Sequence, residues 1–139
     1  MKRFMFRLER VLAYRTAQLG VEKAKLSAVE SELQARRQAL EAVNADFARE
    51  VKDVFPTPPA RTELGRYRML VESERIVLGA RIAEKQLEVD AQRQRYVLAN
   101  QAAEVLDRVK SKQRKDWDLQ LGKELDGLAM DSYLSRWKH

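Results

Sequence analysis

The sequence contains no cysteine, and this absence removes one class of chemistry. With none in 139 residues, the chain has no disulfide, no catalytic thiolate and no cysteine ligand for a metal. Its single histidine is His139, and it has neither a glycine-rich phosphate loop nor an Asp/Glu/His cluster at metal-ligand spacing. The sequence therefore predicts a protein that is not an enzyme and that binds no metal or cofactor.

Long hydrophobic runs are also missing. Charged residues make up 35% of the chain, and nowhere do about 18 apolar residues follow one another, as a membrane-spanning helix requires. The opening segment, MKRFMFRLERVLAYR, is interrupted by Arg7, Glu9 and Arg10, so it does not read as a cleavable signal. We expect a soluble, cytoplasmic protein.

Glycine and proline are scarce, with five and three copies, whereas strong helix formers dominate. The prolines, Pro56, Pro58 and Pro59, fall together in VFPTPPAR, where they cannot continue a helix. Thr57 is placed to cap a following helix. The sequence predicts one domain over residues 1–139: helix one over about 4–54, a proline turn over about 55–61, and helix two over about 62–137.

An unbroken seven-residue repeat marks helix one as a coiled-coil strand. Its first row is Leu12, Leu19, Leu26, Leu33, Leu40, Phe47 and Val54; the second row, after Leu8, is Arg15, Glu22, Val29, Arg36, Val43 and Glu50. The facing row in helix two is predicted to be Ile76, Ala80, Ala83, Leu87, Ala91, Leu98, Val105 and Val109. The expected fold is all-α, a long antiparallel two-helix coiled-coil hairpin with Leu12 near residues 105–108. Residues after about Trp117 form a C-terminal helical overhang.

Positive charge is concentrated where the two ends of this hairpin meet. Basic residues outnumber acidic ones in segments 1–15 and 108–118, although the whole chain has a net charge of only +6. A helical wheel places Phe4, Leu8 and Val11 on one face and Phe6 on the opposite face. Aromatic and arginine side chains are favoured at interface centres, so these residues, with Arg7, Arg10 and Trp117, predict a partner-binding tip. Apolar groups near the turn, Tyr67, Leu70 and Val77, predict a second contact surface.

Both ends of the chain resemble the FliJ family, the soluble stalk proteins of the bacterial flagellar type III export apparatus. The opening FMFRLERVLAYRTAQLGVEKAKL resembles the family's F-x-F-R-L-E/Q-x-V/L-L-x-x-R pattern. The segment VLDRVKSKQRKDWDLQLGKELDGLAMDSYLSRW resembles its basic stretch, which is followed by a K-E-x-x-x-L-D-E-hydrophobic-A ending and an aromatic residue. Leu125, Asp126 and Leu128 fall on that ending, whereas Gly127 departs from its usual acidic residue.

This resemblance implies a function in flagellum biogenesis and protein transport. The paired termini would dock in the hexameric flagellar export ATPase and regulate it, and the turn end would reach the cytoplasmic domain of the export-gate membrane protein. Export chaperones are further implied partners, and the location would be peripheral, at the cytoplasmic face of the inner membrane. Three alternatives stay open: a coiled-coil scaffold of another secretion system, a nucleic-acid-binding tip and a membrane-surface helix. No nucleic acid is expected as the partner, because no recognition motif accompanies the basic residues.

Overall fold

The computed structural model describes residues 3–53 and 57–137, and within them it contains two α-helices and no strand. Helix α1 spans Glu9–Lys52 and helix α2 spans Pro58–Trp137. The two helices pack against each other with antiparallel pairing, so the predicted all-α helical hairpin is confirmed. Lys2, Val54, Pro56 and His139 lie outside the described residues.

Both helices begin at positions that differ from the prediction. Residues 3–8 are not helical, and α1 begins at Glu9, whose backbone N–H donates to the Phe6 carbonyl at 3.1 Å. Helix α2 begins at Pro58, before the expected bound of about residue 62, and Thr57 caps it as predicted: its hydroxyl oxygen accepts from the N–H of Ala60 at 3.4 Å. A proline at the first helical position sacrifices no hydrogen bond, since that N–H has no intrahelical acceptor.

The chain forms two compact units, and α1 and α2 contribute to each. The first unit comprises Met1–Gly20 and Leu98–His139, and the second comprises Val21–Val97. In both units the leucine row of α1 faces α2, as predicted: its described members are half-buried, and Leu33 is buried.

The predicted facing row of α2 is wrong. Ile76 and Leu87 are 66% and 71% exposed, and the remaining members, Ala80, Ala83, Ala91, Leu98, Val105 and Val109, are exposed as well. The residues that pack inward in the second unit include Leu64, Tyr67, Val71, Leu78, Ile82, Lys85, Val89, Gln92 and Tyr96. Helix α2 therefore has two apolar faces, and the face that contacts α1 is the one that also carries a lysine and a glutamine.

Polar pairs between the helices explain this choice of face. In the second unit, Lys85 donates to Glu32 of α1 at 2.5 Å and also to Glu88. The Lys85 ammonium lowers the pKa of Glu32, mainly through this hydrogen bond and then through its charge, and hydrogen bonding to Glu32 and Glu88 raises the pKa of Lys85. The buried Gln92 amide donates to the carbonyl of Glu22 at 3.1 Å and to its carboxylate. These polar side chains can be buried in the seam because oxygen atoms of α1 accept their hydrogen bonds.

Candidate functional site: a cationic aromatic cluster in the first unit

The non-helical segment 3–8 lies along α2 in the first unit. Phe6 is buried there, with 8% of its surface exposed, and Phe4 is half-buried. The expectation that Phe6 points outward among the arginines is wrong, because it rested on a helical wheel and these residues are not helical. Phe6 is a core residue of this unit, whereas its neighbour Met5 is 85% exposed.

Three side chains form what we call the cationic aromatic cluster: Phe4, Arg114 and Trp117. The two rings have centroids 6.1 Å apart and are tilted by 59°. The Arg114 guanidinium lies 5.0 Å from the Phe4 ring centroid and 5.1 Å from that of Trp117, within the range of cation–π attraction. The cluster therefore joins the start of the chain to α2 and holds a positive charge against two aromatic faces.

Ion pairs involve the cluster and the residues that line the groove beside it. Lys110 pairs with Glu9 at 2.9 Å, which fixes the register of this unit close to the predicted one, and Arg114 also approaches Asp118 at 3.6 Å. Arg7 and Leu8 in the non-helical segment and Arg10 in the first turn of α1 are exposed, Leu8 at 41%. An open groove runs along the cluster, and its three basic side chains outnumber its two carboxylates. It is lined by Phe4, Met5, Phe6, Glu9, Asp107, Lys110, Ser111, Arg114 and Lys115. Such a surface suits a partner that presents carboxylates around an apolar group.

Helix α2 continues beyond the cluster without cover. Every described residue from Lys123 to Trp137 is exposed, in agreement with the predicted overhang. Leu125 and Leu128 are 48% and 62% exposed, and Asp126 is exposed between them. Near the end, the Tyr133 and Trp137 rings lie 6.0 Å apart. The predicted partner-binding residues of this segment are thus accessible, but they lie further along α2 than the cluster.

The residues predicted near the turn belong to the second unit and separate into two kinds. Tyr67 is half-buried and stacks on Phe47 of α1 with a centroid distance of 5.8 Å, so it contributes to packing. Leu70 and Val77 are 70% and 50% exposed. Of these three residues, only Leu70 and Val77 are placed to meet a partner.

Sequence reasoning missed Arg114 as a member of the cluster. It identified Phe4 and Trp117 separately and counted Arg114 only toward the local charge. The available signal was spacing, because an arginine three residues before a tryptophan on a helix lies on the same face.

Among the described residues, no group of three or more His, Cys, Asp or Glu side chains is placed to hold a metal ion. Over the same part of the chain, neither helix has an apolar stretch that would let it cross a membrane. Comparison with protein-family models, curated proteins and solved structures finds no match to this chain.

Proposed function

We propose that this chain is a non-enzymatic stalk or adaptor protein of the flagellar protein export apparatus, with the cationic aromatic cluster docking in a hexameric export ATPase. The support is the FliJ-like pattern at both ends of the sequence together with the observation that carries the proposal: Arg114 lies against the Phe4 and Trp117 rings, and Arg7 and Arg10 are exposed in the same unit. In this proposal the exposed arginines attract an acidic surface of the ring, and the aromatic groups retain it.

A second contact, at the turn end, belongs to the same proposal. Leu70 and Val77, two exposed apolar residues one heptad apart in the second unit, would meet the cytoplasmic domain of the export-gate membrane protein. Leu70→Asp should then abolish gate binding and leave ATPase binding unchanged, since the two contacts use different units. Loss of both activities together would argue against separate contacts. The exposed segment with Leu125, Asp126 and Leu128 is the surface that we propose for export chaperones or for the ATPase.

The docking experiment measures association and dissociation of the purified chain and the export ATPase. Reversing Arg7 and Arg10 to Glu should slow association about tenfold, because exposed charges mainly steer encounter. Raising the salt from about 50 to about 300 mM should have a similar effect on the wild-type protein, since screening shortens the range of these charges.

A matched variant controls for net charge. Arg61 and Arg68 are exposed in the second unit, and reversing both changes the charge of the chain by the same amount. This control should bind the ATPase as the wild type does. If both reversals slowed association equally, docking would follow total charge and the cluster would have no specific role. Binding to nucleic acid or anionic vesicles in place of the ATPase would favour the alternative functions.

A further inference from the structure

The outward face of α2 in the second unit carries a second seven-residue repeat that α1 does not use. The repeat places Met69, Ser73, Ile76, Ala80, Ala83 and Leu87 in one row with alternating spacings of four and three residues. All of them are exposed, and Met69, Ile76 and Leu87 expose 73%, 66% and 71% of their surface. The Ser73 hydroxyl donates to the Met69 carbonyl at 3.1 Å, so it adds no unsatisfied donor to the row. This spacing is that of a coiled-coil seam that lacks its partner helix.

The charges at the two ends of the row have opposite signs. The next position toward the start of α2 is Arg66, and the next one toward its end is Asp90; both continue the alternating spacing, and both are exposed. The row is therefore apolar or small over its length, with a cation at one end and a carboxylate at the other.

This row is complementary to itself when it is reversed. The level of Leu78 is the midpoint of the row, and the row's members lie in pairs at equal distances on either side of it. The distance is twelve residues for Arg66 and Asp90, nine for Met69 and Leu87, and two for Ile76 and Ala80. Two copies of α2 that cross antiparallel about a two-fold axis at this level would bring each residue opposite its counterpart. Arg66 then faces the Asp90 of the other copy, Met69 faces its Leu87, and the large Ile76 faces its small Ala80. Large side chains opposite small ones permit close helix packing, as knobs fit into holes.

We propose that the exposed α2 row is a homodimer interface, in which two copies of this chain pair antiparallel through Arg66–Asp90. A partner with another sequence would need the same palindromic order of charge and size, whereas a second copy supplies it by symmetry. The row is roughly 36 Å long at the helical rise per residue. A single helix pair of this length lies at the small end of specific interfaces, so we expect a dissociation constant on the order of 10 µM. This self-association is independent of the proposed docking to an ATPase.

The test uses the full chain and measures its mass by sedimentation velocity and light scattering from about 1 to about 200 µM. The wild type should shift from monomer to dimer across this range. Ile76→Glu should stay monomeric, since it buries a charge at the centre of the seam, while Val105→Glu, at an exposed position of α2 that does not continue the alternating spacing, should dimerise as the wild type does. Circular dichroism should show both variants to be helical.

Charge exchange tests the antiparallel order itself. Arg66→Asp places two carboxylates opposite each other at both ends of the dimer, and Asp90→Arg places two cations there, so each variant alone should dimerise about tenfold more weakly. An equimolar mixture of these two variants restores both opposite-charge pairs, and its affinity should return to within about threefold of the wild type. A wild type that remains monomeric at about 200 µM, or a mixture that dimerises no better than its components, would overturn the proposal.

Discussion

Substitutions at Val89 and Leu87, which lie on different faces of α2, test which face packs against α1. Val89 faces α1 and is completely buried, with 0% exposure, whereas Leu87 is 71% exposed. We expect Val89→Ala to destabilise the second unit and Leu87→Ala to have little effect. If the face predicted from sequence were correct, the order would be reversed, because Leu87 would lie in the seam.

The size of the effect follows from the buried groups that are removed. Val→Ala deletes the equivalent of two methylene groups at about 0.8 kcal/mol each, and incomplete collapse of the cavity adds to this loss. The free energy of unfolding should therefore fall by about 2 kcal/mol for Val89→Ala. Leu87→Ala removes contacts mainly with water and should change it by less than about 0.5 kcal/mol.

Thermal and urea unfolding, followed by circular dichroism at 222 nm, measures both changes. The protein concentration should be about 1 µM, below the dissociation constant expected for the proposed dimer, so that Leu87 is measured in the monomer. A loss of stability on Leu87→Ala that equals or exceeds the loss on Val89→Ala would refute the assigned face.

Two further predictions concern the buried Phe6 and the pH dependence of the contact between Glu32 and Lys85. Phe6→Ala should cost about 3–5 kcal/mol of stability, because Phe6 is buried, whereas Met5→Ala should cost less than about 0.5 kcal/mol; equal melting temperatures would contradict the core role of Phe6. Glu32→Gln should destabilise the protein at pH 7 because it weakens the contact with Lys85. Since the pKa of Glu32 is lowered from its ordinary 4.5, its contribution is present above that pH and is lost as the pH falls through the lowered pKa. The difference between wild type and Glu32→Gln in thermal melts should thus shrink as the pH falls below the ordinary pKa of 4.5, and a constant difference over the whole acid range would exclude this pairing.

The architecture could be predicted from sequence because its signals are local. Leucine or phenylalanine at every seventh position of α1 identifies its packing face, and a cap at Thr57 before Pro58 marks the start of α2. The face of α2 could not be predicted in the same way, since both of its faces are apolar. The face with Lys85 and Gln92 is the more polar of the two, so the sequence alone does not favour it as the packing face. It packs against α1 because Glu32 and Glu22 accept hydrogen bonds from these two side chains. Periodicity in one helix does not contain that information.

Part of the candidate site was predictable for a similar reason. The aromatic and basic residues stand out in composition, and the antiparallel register brings Phe4 to Trp117. The non-helical backbone of residues 3–8 has no comparable signal, because the segment contains neither proline nor glycine. The burial of Phe6 follows from that backbone, so a helical projection assigned it to the wrong environment.

Stimulation of ATP hydrolysis tests the central claim, that the cationic aromatic cluster docks in an export ATPase. The assay titrates the purified ATPase with the wild type, with the variant in which Arg7 and Arg10 are Glu, and with the control in which Arg61 and Arg68 are Glu. We predict that the control stimulates hydrolysis at the same concentration as the wild type and that the first variant requires about tenfold more protein, because Arg7 and Arg10 belong to the unit that carries the cluster, whereas Arg61 and Arg68 belong to the other unit. Equal stimulation by all three proteins at physiological salt would contradict the account.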